Sequence, residues 1–154
     1  MPSLVTAAWA AWGAANLPPA GRFAEHDLAG AIVKLGIRVP REARSAETLG
    51  TEREGTGVVI DGAGHILTIG YLLLEAESIL VVASDGRVLP ASVGGFDHAT
   101  GFGLVRTSQP LGCRPLEFGS AAAARELSTA VIATHSAAGG LSNASIVARR
   151  PFTG

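Results

Sequence analysis

The side chains of this 154-residue chain that could do chemistry stand in neighbouring pairs: His26-Asp27, Asp97-His98 and His135-Ser136. A hydroxyl beside an imidazole, with a carboxylate holding the ring in one tautomer, is the arrangement that attacks a carbonyl. On that logic Ser136 with His135 is a candidate nucleophile and base, and His98 with Asp97 a candidate base and orienting carboxylate. Each pair also has a plainer reading. Asp97-His98 precedes Ala99-Thr100 and reads as a β-turn closed by an Asx-type side-chain bond. His26-Asp27, just before a strand, reads as a helix cap or a surface contact. His135-Ser136 opens a glycine-ended loop over residues 135–140.

Other chemistries find no support. The single cysteine, Cys113, has no disulfide partner and no zinc spacing, and reads as an inert, half-buried thiol. No phosphate loop or dinucleotide fingerprint occurs; Gly94-Gly95 and Gly139-Gly140 are turns. The expectation is no cofactor and no metal. Twelve basic and thirteen acidic residues leave a net charge of −1, which draws the chain neither to nucleic acid nor to an anionic membrane. An apolar fraction of 47% with 16% charged residues is enough for a core and argues against disorder.

Short strands separated by turns must position these groups. Residues 31–39 alternate β-branched residues and end at Pro40. Residues 41–54 are charged, lack an apolar period and read as an exposed loop. Thr56-Gly57-Val58-Val59-Ile60 and His65-Ile66-Leu67-Thr68 form a hairpin about the turn at residues 61–64. A single helical turn follows from Tyr71, then a strand over residues 78–83. An Asp-Gly turn at residues 84–87 leads to a strand over residues 88–94, and another covers residues 102–106. Six such strands between residues 31 and 107 predict a small antiparallel barrel, an all-β architecture. Residues 108–120 read as a linker leaving it. Two further strands, residues 129–134 and 145–149, are too few to close a second barrel. At the other end, residues 4–16 read as a short helix docked by Trp9 and Trp12, or as a vestigial targeting segment, too short to span a bilayer.

The order of these pieces resembles a known family. Gly55-Thr56-Gly57-Val58-Val59-Ile60, a turn, His65-Ile66-Leu67-Thr68 and a one-turn helix look like the first barrel of HtrA/DegP-type serine proteases of the chymotrypsin clan. Ser84-Asp85-Gly86-Arg87, Phe96-Asp97 and Thr100-Gly101-Phe102-Gly103-Leu104-Val105 resemble its next hairpin and strand. Leu116-Glu117-Phe118-Gly119-Ser120 through Val147 resembles the opening of the second barrel. The resemblance implies an N-terminal helical segment (residues 1–20), a first trypsin-like barrel (21–110), and a linker with the first strands of an incomplete second barrel (111–154).

Carried over by position, the family's histidine falls on Tyr71 and its aspartate on Gly101. A phenol with a pKa near 10 is a poor base at neutral pH, and glycine has no side chain to orient a ring. The family's Gly-x-Ser-Gly-Gly nucleophile loop does not occur in the sequence. Tyr71, followed by three leucines, is expected to fill with apolar bulk the hollow a histidine would leave, or else to close a peptide groove. The reading that results is a non-catalytic, protease-like module that binds a peptide or protein partner. An exposed edge at residues 145–149 would favour pairing into a homo-oligomer. The alternative is an active or once-active serine endopeptidase of which this is an N-terminal fragment. The resemblance implies an extracytoplasmic location, although the N-terminus is a poor secretory signal.

Overall fold

The computed structural model describes residues 25–135 and 140–150. The expected helix and targeting segment over residues 1–20, the side chain of His26, and Ser136 fall outside the described residues. Helix α1 (Glu25–Ala31) leads into β1 (Ile32–Arg38), so the strand starts one residue later than its pattern suggests. There follow a helical turn α2 (Ala46–Leu49), β2 (Glu52–Val59), β3 (His65–Ile69), a 3₁₀ turn (Gly70–Leu73), β4 (Ser78–Val82), β5 (Val88–Asp97) and β6 (Phe102–Thr107). These six strands close an antiparallel barrel in the order β1-β2-β3-β6-β5-β4.

Alternation fills it. Val33, Leu35 and Ile37 of β1 point inward with Val59, Ile66, Ile79, Val81, Leu89 and Val105. Inward residues at every second position are what a closed sheet demands. Gly57 takes one inward position without a side chain: a Cβ there would lie 2.4 Å from the Ile66 methyl and 3.2 Å from Val33. The space it leaves is the space those two side chains use.

Strand β5 runs three residues beyond its expected end at residue 94, and larger departures from expectation each have a physical reason. Residues 41–54 are not an exposed loop throughout. Strand β2 begins at Glu52 and pairs with β1 as far as Arg38↔Glu52, because strand pairing outweighs the low β-propensity of Glu-Arg-Glu. Residues 108–120 do not leave the barrel: Leu111 and Leu116 join its core, and the Leu116 N–H donates to the Val59 carbonyl. The last strand is β8 (Leu141–Ser145), four residues before the expected position. It pairs with β7 (Thr129–Ala133) from Thr129↔Ser145 to Ala133↔Leu141 as a two-stranded antiparallel sheet. A Thr134 N–H to Gly140 carbonyl bond sets that register. The apolar pair Ile146-Val147 lies beyond the strand, and Val147 is exposed.

Candidate functional site

Strand β3 delivers its chain to the 3₁₀ turn that carries Tyr71, and glycines let that turn sit flush on the barrel. A Cβ on Gly70 would meet the Phe96 ring at 2.0 Å. One on Gly103 would meet Leu73 at 2.5 Å. The Gly70 N–H donates to the Gly101 carbonyl at 2.7 Å, so the turn bearing Tyr71 is tied directly to Gly101. The two positions the resemblance pairs with histidine and aspartate thus meet at one end of the barrel. Gly101 has φ +73°, in the region that favours glycine, and open space where a side chain would project.

Tyr71 does not fill a hollow. It is 48% exposed and stands on the wall of a cleft of about 340 Å³. The cleft forms because β2 and β3 pair only at Val58↔Leu67 and Val59↔Ile66. Beyond those pairs the strands part around Gly55, Thr56, Thr68 and Ile69, and Leu72 and Phe102 close the floor. Leu116, Glu117 and Phe118 form another wall, and Ala133 and Thr134 from the end of β7 complete it. Thr56 ties the walls together: its carbonyl accepts from the Thr68 hydroxyl and its own hydroxyl accepts from the His135 N–H.

One residue beneath the cleft escaped sequence reasoning. Arg53, only 4% exposed, donates through Nη1 to the carbonyls of Tyr71 and Leu74, through Nε to Gly50 and through Nη2 to the Ser45 hydroxyl. Glu75 accepts from the N–H groups of Arg44 and Ser45, and the Ser45 contacts hold its carboxyl below the usual range. Together they pin residues 44–53 to the Tyr71 turn. The only sequence signal was an arginine at the alternating inward position two residues from Gly55.

The other candidates lie apart. Asp97 spends its carboxylate on the Ala99 N–H, as an Asx turn, and on the Thr100 hydroxyl, which lowers its pKa. It makes no hydrogen bond to the His98 ring, which packs edge-on against Phe96 with centroids 4.3 Å apart. His135 is half-buried and engaged through its backbone. Burial pushes the Cys113 thiol up, away from reactivity. An imidazole–carboxylate pair does occur, where it was not sought: His65 Nδ1 lies 2.6 Å from Asp61 Oδ2 across the β2–β3 turn. Among the described residues no hydroxyl hydrogen-bonds that ring, and no group of three His, Cys, Asp or Glu could hold a metal. No helix among them is long and apolar enough to cross a membrane.

A closed six-stranded antiparallel barrel, with a cleft at the turn after its third strand, coincides with a family match. Residues 55–151 match the model for the trypsin-like peptidase domain. The chain belongs to that family. It is 29% identical over 89 residues to the serine endoprotease DegS of Salmonella typhimurium, covering 58% of this chain and 25% of the relative. It is 35% identical over 52 residues to DegS of Escherichia coli K12 (34% and 15%), and 34% identical over 67 residues to the putative serine protease HhoA of Synechocystis (44% and 16%). The matched stretches thus span a quarter or less of the length of these curated relatives. As a member of the trypsin-like peptidase family the chain is a serine-protease-like module of HtrA type, and the family match includes the whole Tyr71 cleft except its Ile32 wall.

Proposed function

We propose that this trypsin-like domain is non-catalytic and binds a peptide or protein partner in the Tyr71 cleft. One observation carries the reading: the positions that the family resemblance pairs with base and orienting carboxylate are a phenol lining the cleft and a glycine tied to its turn through the Gly70 N–H. A nucleophile supplied from any quarter would find no imidazole at the first of these positions and no orienting carboxylate at the second, and loss of a triad member costs several orders of magnitude in rate. The pair at Asp61 and His65 does not substitute. It stands at the opposite end of β3, on the order of 15–20 Å from the turn at the strand's rise per residue. What the cleft retains is apolar surface, the usual substance of a binding site.

The edges of the β7–β8 sheet support the partner half of the proposal. Among the described residues each of these strands pairs only with the other. An open edge accepts an extended segment by strand addition, from a different protein or a second copy of this chain. The homo-oligomer proposed on this basis uses Leu141–Ser145 rather than residues 145–149.

The test is a fluorophosphonate probe with casein as substrate, alongside light scattering of the eluted protein. No labelling and no hydrolysis are expected, with a mass above that of one chain at high concentration. Labelling that disappears in Ser136→Ala would establish the alternative, an active serine endopeptidase using Ser136. A clean monomer at every concentration would remove the homo-oligomer.

A further inference from the structure

We propose that the cleft takes an extended peptide segment in which a large apolar side chain is flanked by lysine or arginine. This rests on the reading of the module as partner-binding and specifies the partner's chemistry. The walls set the apolar part. Ile69, Tyr71 and Phe118 remain 43%, 48% and 60% exposed around a space of about 340 Å³. That is the small end of the range of about 300–1,000 Å³ for ligand-sized pockets, enough for a bulky side chain but not for a large cofactor.

The charged part follows from the rim. Among the described residues Glu117 is the one charged side chain in the lining, exposed between buried Leu116 and exposed Phe118. Among the described residues no cation lines the cleft beside it, and the guanidinium beneath, Arg53, is spent on the carbonyls of Gly50, Tyr71 and Leu74. An apolar anion such as a fatty acid would bring its carboxylate against Glu117 without a counter-charge. A chain with lysine or arginine beside the inserted side chain brings its long apolar stems along the wall and its charge to Glu117. An extended backbone suits this division, because successive side chains point to opposite sides and only one is delivered inward.

Two blocked heptapeptides test the proposal. Both carry a central phenylalanine, flanked by lysines in one and by glutamates in the other, and binding to the intact protein is read by fluorescence polarisation. At low ionic strength the lysine peptide should bind about three- to tenfold more tightly, and the difference should shrink toward about 0.5 M salt, as expected of an exposed charge. Glu117→Lys should reverse the preference. Phe118→Ser should weaken both peptides by about fivefold. Both side chains are exposed, so unchanged thermal melting is expected and excludes a folding artefact. Equal affinity for the two peptides, indifference to Glu117→Lys, or binding of neither overturns the proposal. Equal affinity with retained binding leaves the partner-binding reading standing. A fluorophosphonate label removes the non-catalytic reading while leaving the charge preference to be judged by the peptides.

Discussion

The two ends of β3 hold opposite halves of a catalytic apparatus. At its start, Asp61 and His65 have the right groups in the right contact. The carboxylate can only accept, so the 2.6 Å bond places a hydrogen on Nδ1 and leaves Nε2 of the neutral ring as an acceptor, the tautomer a general base needs. Yet Asp61 Oδ1 also accepts from the N–H groups of Ala63 and His65, so the pair's work is to close a hairpin turn. At its end, Tyr71 lines a cleft with substrate-sized space, and Gly101, tied to the same turn through the Gly70 N–H, offers no side chain. Chemistry requires groups and location together, and on the non-catalytic reading proposed above the barrel separates them by the length of one strand.

The largest expected difference between the two ends is in stability. Arg53→Ala strips the bonds from the part-buried carbonyls of Gly50, Tyr71 and Leu74 and from the Ser45 hydroxyl, and removes a side chain that is itself buried. A loss of about 2 kcal/mol is expected in urea unfolding. In the native state, amide exchange should accelerate first at Leu74 and Ala76, whose N–H groups close the Tyr71 turn. An equal effect at the His65 end would mean that Arg53 supports the barrel as a whole.

The next effect is smaller and concerns function. Writing the missing groups back, as Tyr71→His with Gly101→Asp, should not produce casein hydrolysis. Space is not the obstacle, since nothing lies within 4 Å of a Cβ at Gly101. The sequence still lacks the family's nucleophile loop, and at Gly101 a φ of +73° costs an L-residue about 1 kcal/mol and aims the new carboxylate by a conformation the residue resists. Melting of Gly101→Asp alone measures that cost. Recovery of hydrolysis in the double variant would show that the cleft lacked only these two groups and that a serine outside the family's loop serves as nucleophile.

The barrel was legible because its signals are local and repeated. The alternation in β1, the Asp-Gly turn at residues 84–87 and the Asx turn at Asp97 each act within a few residues. The cleft was partly legible, through the order of motifs that puts Tyr71 and Gly101 at the ends of successive pieces. The bond through Gly70 that joins them spans 31 residues of chain and has no pattern of its own. Arg53 was hidden by its neighbours, because a charged residue between two glutamates reads as solvent-facing until β2 turns its alternate positions inward. Asp61–His65 was missed for a related reason: only the hairpin geometry brings a turn carboxylate back onto the first strand residue.

The smallest effect compares two carboxylates near the ends of β3, and its sign follows from their contacts. The His65 N–H and ring, with the Ala63 N–H, hold Asp61 below its ordinary value of 3.8. The Ser45 hydroxyl and N–H, with the Arg44 N–H, hold Glu75 below 4.5. A carboxyl whose pKa is lower folded than unfolded stabilises the protein above the unfolded value, and that stabilisation disappears as the pH falls through the folded value. Asp61→Asn and Glu75→Gln should therefore each narrow the stability gap to the parent on acidification. The gap for Glu75 should begin to close below pH 4.5 and that for Asp61 below pH 3.8. Both groups are exposed at the surface, so the gaps are small, and urea midpoints at closely spaced pH values are the measurement. The peptide affinity of the cleft separates the two ends. Glu75→Gln loosens the loop pinned beneath Tyr71 and should weaken binding, whereas Asp61→Asn acts only on its own turn and should leave binding unchanged. Equal weakening by both would mean that the two ends of β3 are coupled through the strand.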